Sequence, residues 1–221
     1  EKKNRLVNEK ERRIVAYHEA GHAIVAERVE YADPVHKISI IPRGVGALGY
    51  TQQLPEDERY LLQKQELLDR MAVLLGGRVA EEIVFDEIST GASNDLERVG
   101  EMARNMVRQY GMSDVLGPVG YEKQRQTFLG TGDGPWPQAR SYSEDTARAM
   151  DEEVRRIVGD ARERTRRILS RDRPVLDRVA DALLESEVVT REELRELMAE
   201  PVDPPGGQGR PDVGHGGVKR A

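Results

Sequence analysis

The first feature that could perform chemistry is the pentapeptide His18-Glu19-Ala20-Gly21-His22, an HExxH pattern inside a segment of helical periodicity. An α-helix turns by about 100° per residue, so His18 and His22 stand one above the other on the same face. Two imidazoles stacked in this way can bind one metal ion, and zinc is the metal typical of the motif. Glu19 lies beside them, where it can accept a proton from a water molecule that the metal activates. The motif therefore predicts zinc-dependent hydrolysis with Glu19 as general base.

The plain alternative is a pair of histidines that share a helix face by chance. Only four histidines occur in the chain, and two of them fall within these five residues. The small residues Ala20 and Gly21 also leave room for another element to approach closely. The pattern favours a hydrolytic zinc site, but it does not identify a substrate.

The third metal ligand must come from elsewhere, because a catalytic zinc usually has three protein ligands and one position for water. The metzincin pattern would place glycine at 25 and histidine at 28, where the chain has Val25 and Arg28, so that class is excluded. His36 is too close in sequence to the motif to be the third ligand, and it lies on a predicted strand. His215 lies in a predicted tail. Spacing leaves four downstream carboxylates open: Glu81, Glu82, Asp86 and Asp95. Asp95 has one advantage, since the first turn of a helix stabilises a charged carboxylate, although an ordinary helix-start residue would look the same.

Composition restricts the class of protein. A length of 221 residues suits one domain, or one and a half, with a real hydrophobic core. The net charge of −6 argues against nucleic acid as the main partner, and the absence of cysteine excludes disulfides and thiolate metal sites. No apolar run approaches the roughly 18 residues that span a bilayer. If the parent is a membrane protein, we expect its anchor outside this sequence.

Apolar spacing predicts a mainly α fold with a small β-hairpin or edge strand near the motif. The motif lies on a helix over residues 10–30, and the hairpin pairs residues 35–40 with residues 50–54. Further helices are predicted at residues 63–85, from the cap segment 89–94 to 110, from 143, at 174–185 and at 190–199. Gly76 and Gly77 interrupt the second helix at a cost of about 1 kcal/mol each, which predicts close packing or a kink. Asn94 and Glu97 are a predicted capping pair.

A glycine-rich segment, residues 44–49, matches the GxGxxG pattern of nucleotide-binding loops. A dinucleotide fold requires a helix after the glycines, whereas a strand-like segment follows here. We therefore interpret the segment as a hairpin turn. The chain also lacks a Walker A motif, so it is not expected to hydrolyse ATP.

Several longer motifs occur in one order along residues 1–198 and closely resemble the peptidase domain of the FtsH family, membrane-anchored ATP-dependent zinc metalloproteases. These motifs cover residues 9–23, 33–37, 41–44, 47–51, 75–78, 80–82, 89–96, 110–113 and 116–118. Two features depart from the family pattern. The turn at 44–49 is one residue longer, and the Pro/Gly-rich residues 200–221, a predicted disordered tail, match no family motif.

The resemblance implies that Asp95 is the third ligand of the Zn²⁺ ion. It implies a peptidase domain over residues 1–199, with residues 1–8 as a linker from an AAA+ module that binds ATP and Mg²⁺. It also implies a homo-hexamer that degrades unfolded or membrane proteins. The membrane would be the bacterial inner membrane, with the peptidase domain facing the cytoplasm.

Three functions are compatible with these features. The leading hypothesis is an endopeptidase in which the strand at residues 35–41 offers its edge to an extended substrate. The alternative is a non-catalytic hexameric assembly module with a structural zinc, but such a site has no use for Glu19. A zinc hydrolase acting on small molecules would need a closed pocket.

Overall fold

The structure, a computed structural model, describes residues 8–42, 48–54, 61–122 and 142–199. Within these ranges it contains six helices and one three-stranded antiparallel sheet, which confirms the predicted mainly α class. Residues 1–7 of the predicted linker at 1–8, the tail from residue 200 and residues 44–47 of the predicted turn lie outside the described residues.

Helix α1, Glu9–Arg28, carries the HExxH motif through the centre of the domain. Asn8 begins it by accepting a hydrogen bond on Oδ1 from the Glu11 N–H at 2.9 Å, which satisfies one of the free donors of the first turn. Every residue from Ala16 to Ala26 is buried. A helix that is buried on all sides is a core element, so the motif is embedded in the fold.

Helix α2, Lys64–Phe85, packs against α1 more extensively than any other described pair of elements does. The two backbones nearly touch where Gly21 faces Gly76. A Cβ atom added at Gly76 would lie 2.7 Å from the carbonyl oxygen of Gly21 and 2.9 Å from the Cα of His22. Helix α2 continues through this point. Of the two predicted explanations for Gly76-Gly77, the structure has close packing.

Four helices complete the domain: α3 (Ser93–Arg108), α4 (Glu144–Arg171), α5 (Arg173–Ser186) and α6 (Arg191–Ala199). Helices α3 and α4 pack against α2, and α5 packs against α1. The predicted cap of α3 by Asn94 and Glu97 is wrong, because both residues lie inside the helix. Its N-cap is Ala92, which makes no side-chain capping bond. A backbone turn leads into α3 instead, with the Ser93 N–H donating to the Thr90 carbonyl at 3.2 Å.

The sheet has the order β2-β1-β3, with β1 at Val35–Ser39, β2 at Tyr50–Gln53 and β3 at Val188–Thr190. The predicted hairpin is confirmed as β1 and β2. The hypothesis that residues 35–41 offer a free edge is wrong, because β1 is the central strand. Ile38 pairs with Thr51 on one side and with Val189 on the other. On the side of α1 and the motif, the unpaired edge of the described sheet belongs to β2.

None of the helices in the described ranges is long and apolar enough to cross a membrane.

We predict that Gly76→Ala lowers the free energy of unfolding by about 1–3 kcal/mol, because the new Cβ has only backbone atoms of α1 to displace. The matched control is Gly159→Ala on α4, where an added Cβ meets nothing within 4 Å. That change should raise stability by up to about 1 kcal/mol through helix propensity. Denaturant unfolding of both variants checks the pair. Equal effects would contradict the close α1–α2 contact.

Candidate metal centre

Three ligand atoms from two helices meet at one point between α1 and α3. The Nε2 atoms of His18 and His22 are 3.0 Å apart. The Oδ2 atom of Asp95, in the first turn of α3, lies 3.5 Å from the first and 3.4 Å from the second. These three residues are the group of potential metal ligands in the described part of the chain.

The other ring nitrogens show which atoms are free to bind a metal. The Nδ1 atom of His22 lies 2.7 Å from the carbonyl oxygen of Val73 on α2. A carbonyl only accepts hydrogen bonds, so Nδ1 carries the proton and Nε2 carries a lone pair in the neutral ring. The Nδ1 atom of His18 lies 2.7 Å from Oε1 of Glu81, which gives the same tautomer. When both rings are neutral, two Nε2 lone pairs and a carboxylate therefore face one another, an arrangement that suits a cation between them.

The spacing of these atoms fits a tetrahedral metal. Zinc binds nitrogen and oxygen ligands at about 2.0–2.2 Å, so neighbouring ligands of a regular tetrahedron are about 3.3–3.6 Å apart. The three measured separations, 3.0, 3.4 and 3.5 Å, lie close to that range. Two imidazoles and one carboxylate also form a donor set typical of a catalytic zinc, which keeps one position open for water.

Glu81 orients the ring of His18 through the Nδ1 atom, on the side of the ring away from Asp95. Its side chain is buried, and it also accepts hydrogen bonds from the N–H of Ser89 at 2.7 Å and from the Ser89 hydroxyl at 3.0 Å. Burial alone would raise the pKa of Glu81, but the bonds from His18 and Ser89 lower it below its ordinary value. The carboxylate therefore stays charged and fixes the ring of His18.

The electrostatics of the two acids also act on the histidines. Burial alone would lower the pKa of His18, but hydrogen bonds to Asp95 and Glu81 raise it from 6.5 to about 9. Burial would raise the pKa of Asp95, yet its bonds to His18 and His22 hold it well below its ordinary value. The site is thus built to hold positive charge.

The remaining carboxylates that spacing had left open lie outside the ligand group. Glu82 faces away from the histidines and binds Arg162 at 2.6 Å and Arg166 at 2.7 Å. Asp86 ends α2 in the left-handed conformation, with φ of 52°. Of the four candidates, the structure brings only Asp95 to both Nε2 atoms and gives Glu81 to the opposite nitrogen of His18.

Glu19 lies beside the ligands and is buried. Its Oε2 atom accepts a hydrogen bond from the hydroxyl of Thr51 on β2 at 2.9 Å. Gly49, just before β2, approaches its other carboxylate oxygen so closely that an added Cβ would lie 2.8 Å from Oε1. Among the residues that the structure describes, the carboxylate of Glu19 thus has its own donor, Thr51, and forms no ion pair with the histidines.

The side chains of the three potential ligands and of Glu19 line one cleft of about 830 Å³. Its walls are α1, β2, the middle of α2 and the segment that leads into α3. Apolar side chains cover part of the wall, and polar groups from residues 89–95 cover another part. The apolar members are Ile14, Val15, Leu48, Val73 and Leu74.

Sequence reasoning missed the residues that support the site. Glu81 stood only among the possible ligands, and nothing suggested Thr51 or the Val73 carbonyl. The glycines were a partial signal. A Cβ at Gly77 would collide with the ring of His18, so the glycine pair in α2 marks where the imidazoles pack.

Comparison with known proteins agrees with this geometry. The profile of Peptidase family M41 matches residues 5–197. The chain belongs to this family. The M41 match confirms the resemblance on which the assignment of Asp95 was based, although the match itself names no residue.

The M41 chain is also similar to longer proteins. An ATP-dependent zinc metalloprotease FtsH of Syntrophobacter fumaroxidans is 55% identical over 201 residues, which are 90% of this chain and 31% of that protein. The protein of the same name from Thermotoga maritima is 50% identical over 200 residues, 90% of this chain and 32% of its own length. The M41 chain thus spans about a third of the length of the curated relatives it matches.

We predict a pH-dependent stability of the domain after metal is stripped by a chelator. The folded pKa of His18, about 9, exceeds the ordinary 6.5, so its contribution is complete below pH 6.5 and is lost as pH rises to about 9. The free energy of unfolding should fall over that window by at most about 1.4 kcal/mol per pH unit. Denaturant titrations at several pH values measure this. His18→Gln should flatten the slope, whereas His36→Gln, on the exposed side of β1, should keep it.

We also predict that Glu81→Gln weakens metal affinity by about tenfold to a hundredfold, because the ring of His18 loses its charged acceptor. Competition with a chromogenic chelator measures the affinity. The control is Glu82→Gln, the next residue of α2, which should lower stability through Arg162 and Arg166 but leave metal affinity unchanged. Equal losses of affinity in both variants would show that the effect is general.

Proposed function

We propose that this M41 domain is a zinc-dependent endopeptidase in which His18, His22 and Asp95 hold Zn²⁺ and Glu19 is the general base. The observation that carries the proposal is the convergence of two Nε2 lone pairs and the Asp95 carboxylate beside a fourth, separately held acid. The names of the relatives, zinc metalloproteases, support the same metal and reaction.

When bound, zinc polarises the scissile carbonyl and makes water a nucleophile near neutral pH. The residues of the chain do the rest. Glu19 accepts the proton of the attacking water and returns it to the nitrogen of the leaving amine, so it ends the cycle as a carboxylate. Glu81 and the Val73 carbonyl keep the Nδ1 protons in place, which leaves both Nε2 atoms as ligands throughout.

The arrangement favours catalysis over a structural zinc. Structural sites are closed by four protein ligands, whereas the described residues supply a group of three. Glu19 lines the same cleft as these three, and its contacts are with Thr51 and Gly49. A buried acid beside a metal is expensive to maintain, and proton transfer gives it a role.

The shape of the cleft supports an extended polypeptide as substrate. Strand β2 forms one wall, and no strand in the described ranges pairs with its outer side. An extended chain can add to such an edge through backbone hydrogen bonds, which demand no particular sequence. We propose β2, rather than β1, as the strand that receives unfolded substrates.

In our proposal, the module that binds ATP and the membrane anchor belong to parts of the whole protein outside this sequence. The relatives are named ATP-dependent and are about three times longer than the matched region. We propose that an AAA+ module binds ATP and Mg²⁺, that six copies form a ring, and that a separate segment anchors the protein in the bacterial inner membrane with this domain in the cytoplasm. Residues 1–199 would be the peptidase domain, and the tail at 200–221 remains a prediction from composition.

The test uses the whole protein that carries this chain, unfolded casein and ATP. Glu19→Gln should keep its zinc but lose at least about a hundredfold in turnover, because the proton acceptor is gone. Asp95→Ala should lose both zinc and turnover. Metal analysis and peptide release measure the two properties. Size-exclusion chromatography and membrane fractionation of the same protein test the ring and the anchor.

Retained proteolysis in Glu19→Gln would overturn the general-base assignment and support the assembly-module alternative. Full zinc occupancy in Asp95→Ala would show that another carboxylate completes the site.

A further inference from the structure

We propose that Thr51 is a positioning residue for the reaction: its hydroxyl holds the carboxylate of Glu19 in the orientation that proton transfer requires. This inference rests on the proposed function, because it gives Thr51 a role only if Glu19 is the general base.

The first observation is the hydrogen bond itself. The Thr51 hydroxyl lies 2.9 Å from Oε2 of Glu19 and 3.2 Å from the backbone carbonyl oxygen of the same residue. A hydroxyl has one proton to donate, and the shorter contact is to the charged acceptor. The carboxylate therefore receives the stronger bond.

The second observation is a contact on the other carboxylate oxygen. Gly49, two residues before Thr51, has its backbone so close to Glu19 that a Cβ would lie 2.8 Å from Oε1 and 2.8 Å from a methyl group of Val15. The backbone of Gly49 thus lies near Oε1, while the hydroxyl of Thr51 binds Oε2. One short segment approaches both oxygens of the acid.

The third observation is that Glu19 needs such restraint. A glutamate has three side-chain torsions, and the ligands beside it are each tied down, His18 by Glu81 and His22 by Val73. Within the described ranges, Thr51 is the only residue that donates a hydrogen bond to the carboxylate of Glu19. Displacement of a catalytic group by about 1 Å can cost about a hundredfold in rate, so this bond has catalytic weight.

The position of Thr51 in the sheet explains how it reaches the site. It lies in β2 opposite Ile38 of β1, a buried core residue, so its register is set by the hairpin. Strand β2 also contacts α1. The metal is thereby held by helices, while the base is held by a strand.

Two substitutions separate positioning from packing, because they remove opposite halves of the side chain. Thr51→Val keeps the branched shape and removes the donor. Thr51→Ser keeps the donor and removes a methyl group. Positioning predicts that valine is the worse change for turnover, whereas a packing role predicts that serine is.

We expect Thr51→Val in the whole protein to lower kcat by about tenfold or more, with KM for casein within about twofold and an unchanged zinc content. Thr51→Ser should have a kcat within about threefold of the wild-type value. Metal analysis and the thermal unfolding midpoint provide readouts that do not depend on activity.

The matched control is Thr190→Val on β3, at the far edge of the same sheet. Its hydroxyl binds Glu193 at 2.9 Å, away from the cleft. This change removes the hydroxyl's bonds at the start of α6, so it should lower the unfolding midpoint while kcat stays unchanged. Such a result would show that a loss of stability next to the sheet does not by itself slow the reaction.

The proposal is overturned if Thr51→Val keeps wild-type kcat, if serine is no better than valine, or if Thr51→Val loses zinc. These outcomes differ from a failure of the proposed function, in which the wild-type protein itself shows no zinc-dependent proteolysis.

Discussion

The contact between Gly21 on α1 and Gly76 on α2 sets the position of the groups in the metal centre. With no Cβ on either residue, the two backbones come close enough for α2 to reach both imidazoles from behind. The Val73 carbonyl then accepts a hydrogen bond from Nδ1 of His22, and Glu81 accepts one from Nδ1 of His18. A larger separation of the helices would leave both Nδ1 atoms without these partners, and the Nε2 atoms would lose their fixed direction. A weakness in helix propensity at the two glycines is therefore offset by a pair of oriented ligands.

Negative charge is concentrated around the two histidines. Glu81, Asp95 and Glu19 are three carboxylates around two imidazoles that are neutral when they bind a metal. Uncompensated buried charge is strongly unfavourable, so positive charge among these groups, from a metal ion or from the proton of His18, stabilises the arrangement. The raised pKa of His18 and the lowered pKa values of Glu81 and Asp95 express the same preference. Affinity for a divalent ion thus follows from the electrostatics of the fold as well as from the identity of its ligands.

Patterns within short stretches of the sequence predicted the features that depend on neighbouring residues. The positions of His18, Glu19 and His22 follow from the helical repeat alone, and the hairpin follows from alternation. The third ligand does not, because spacing left four acids open and only family resemblance selected Asp95. Strand β3 was missed since three residues carry no periodic signal, and this omission led to the wrong assignment of β1 as an edge. The bond from Thr51 joins residues 32 positions apart, and no pattern in the sequence encodes that approach.

The two functions of the site are supported by elements of different kinds. The ligands and their partners come from α1, α2 and α3, which pack on one another in the core. The partner of the base comes from β2, a strand of four residues with only one neighbour among the described strands. Local stability increases with buried contacts, so the proposed metal ligands lie in the more stable part of the domain, and the partner of Glu19 lies in the less stable part. A chain that pairs with the outer side of β2 adds hydrogen bonds to that strand, and it thereby stabilises the element that restrains Glu19. Under the proposed roles of β2 and Glu19, substrate binding and the order of the general base would be coupled through this one strand.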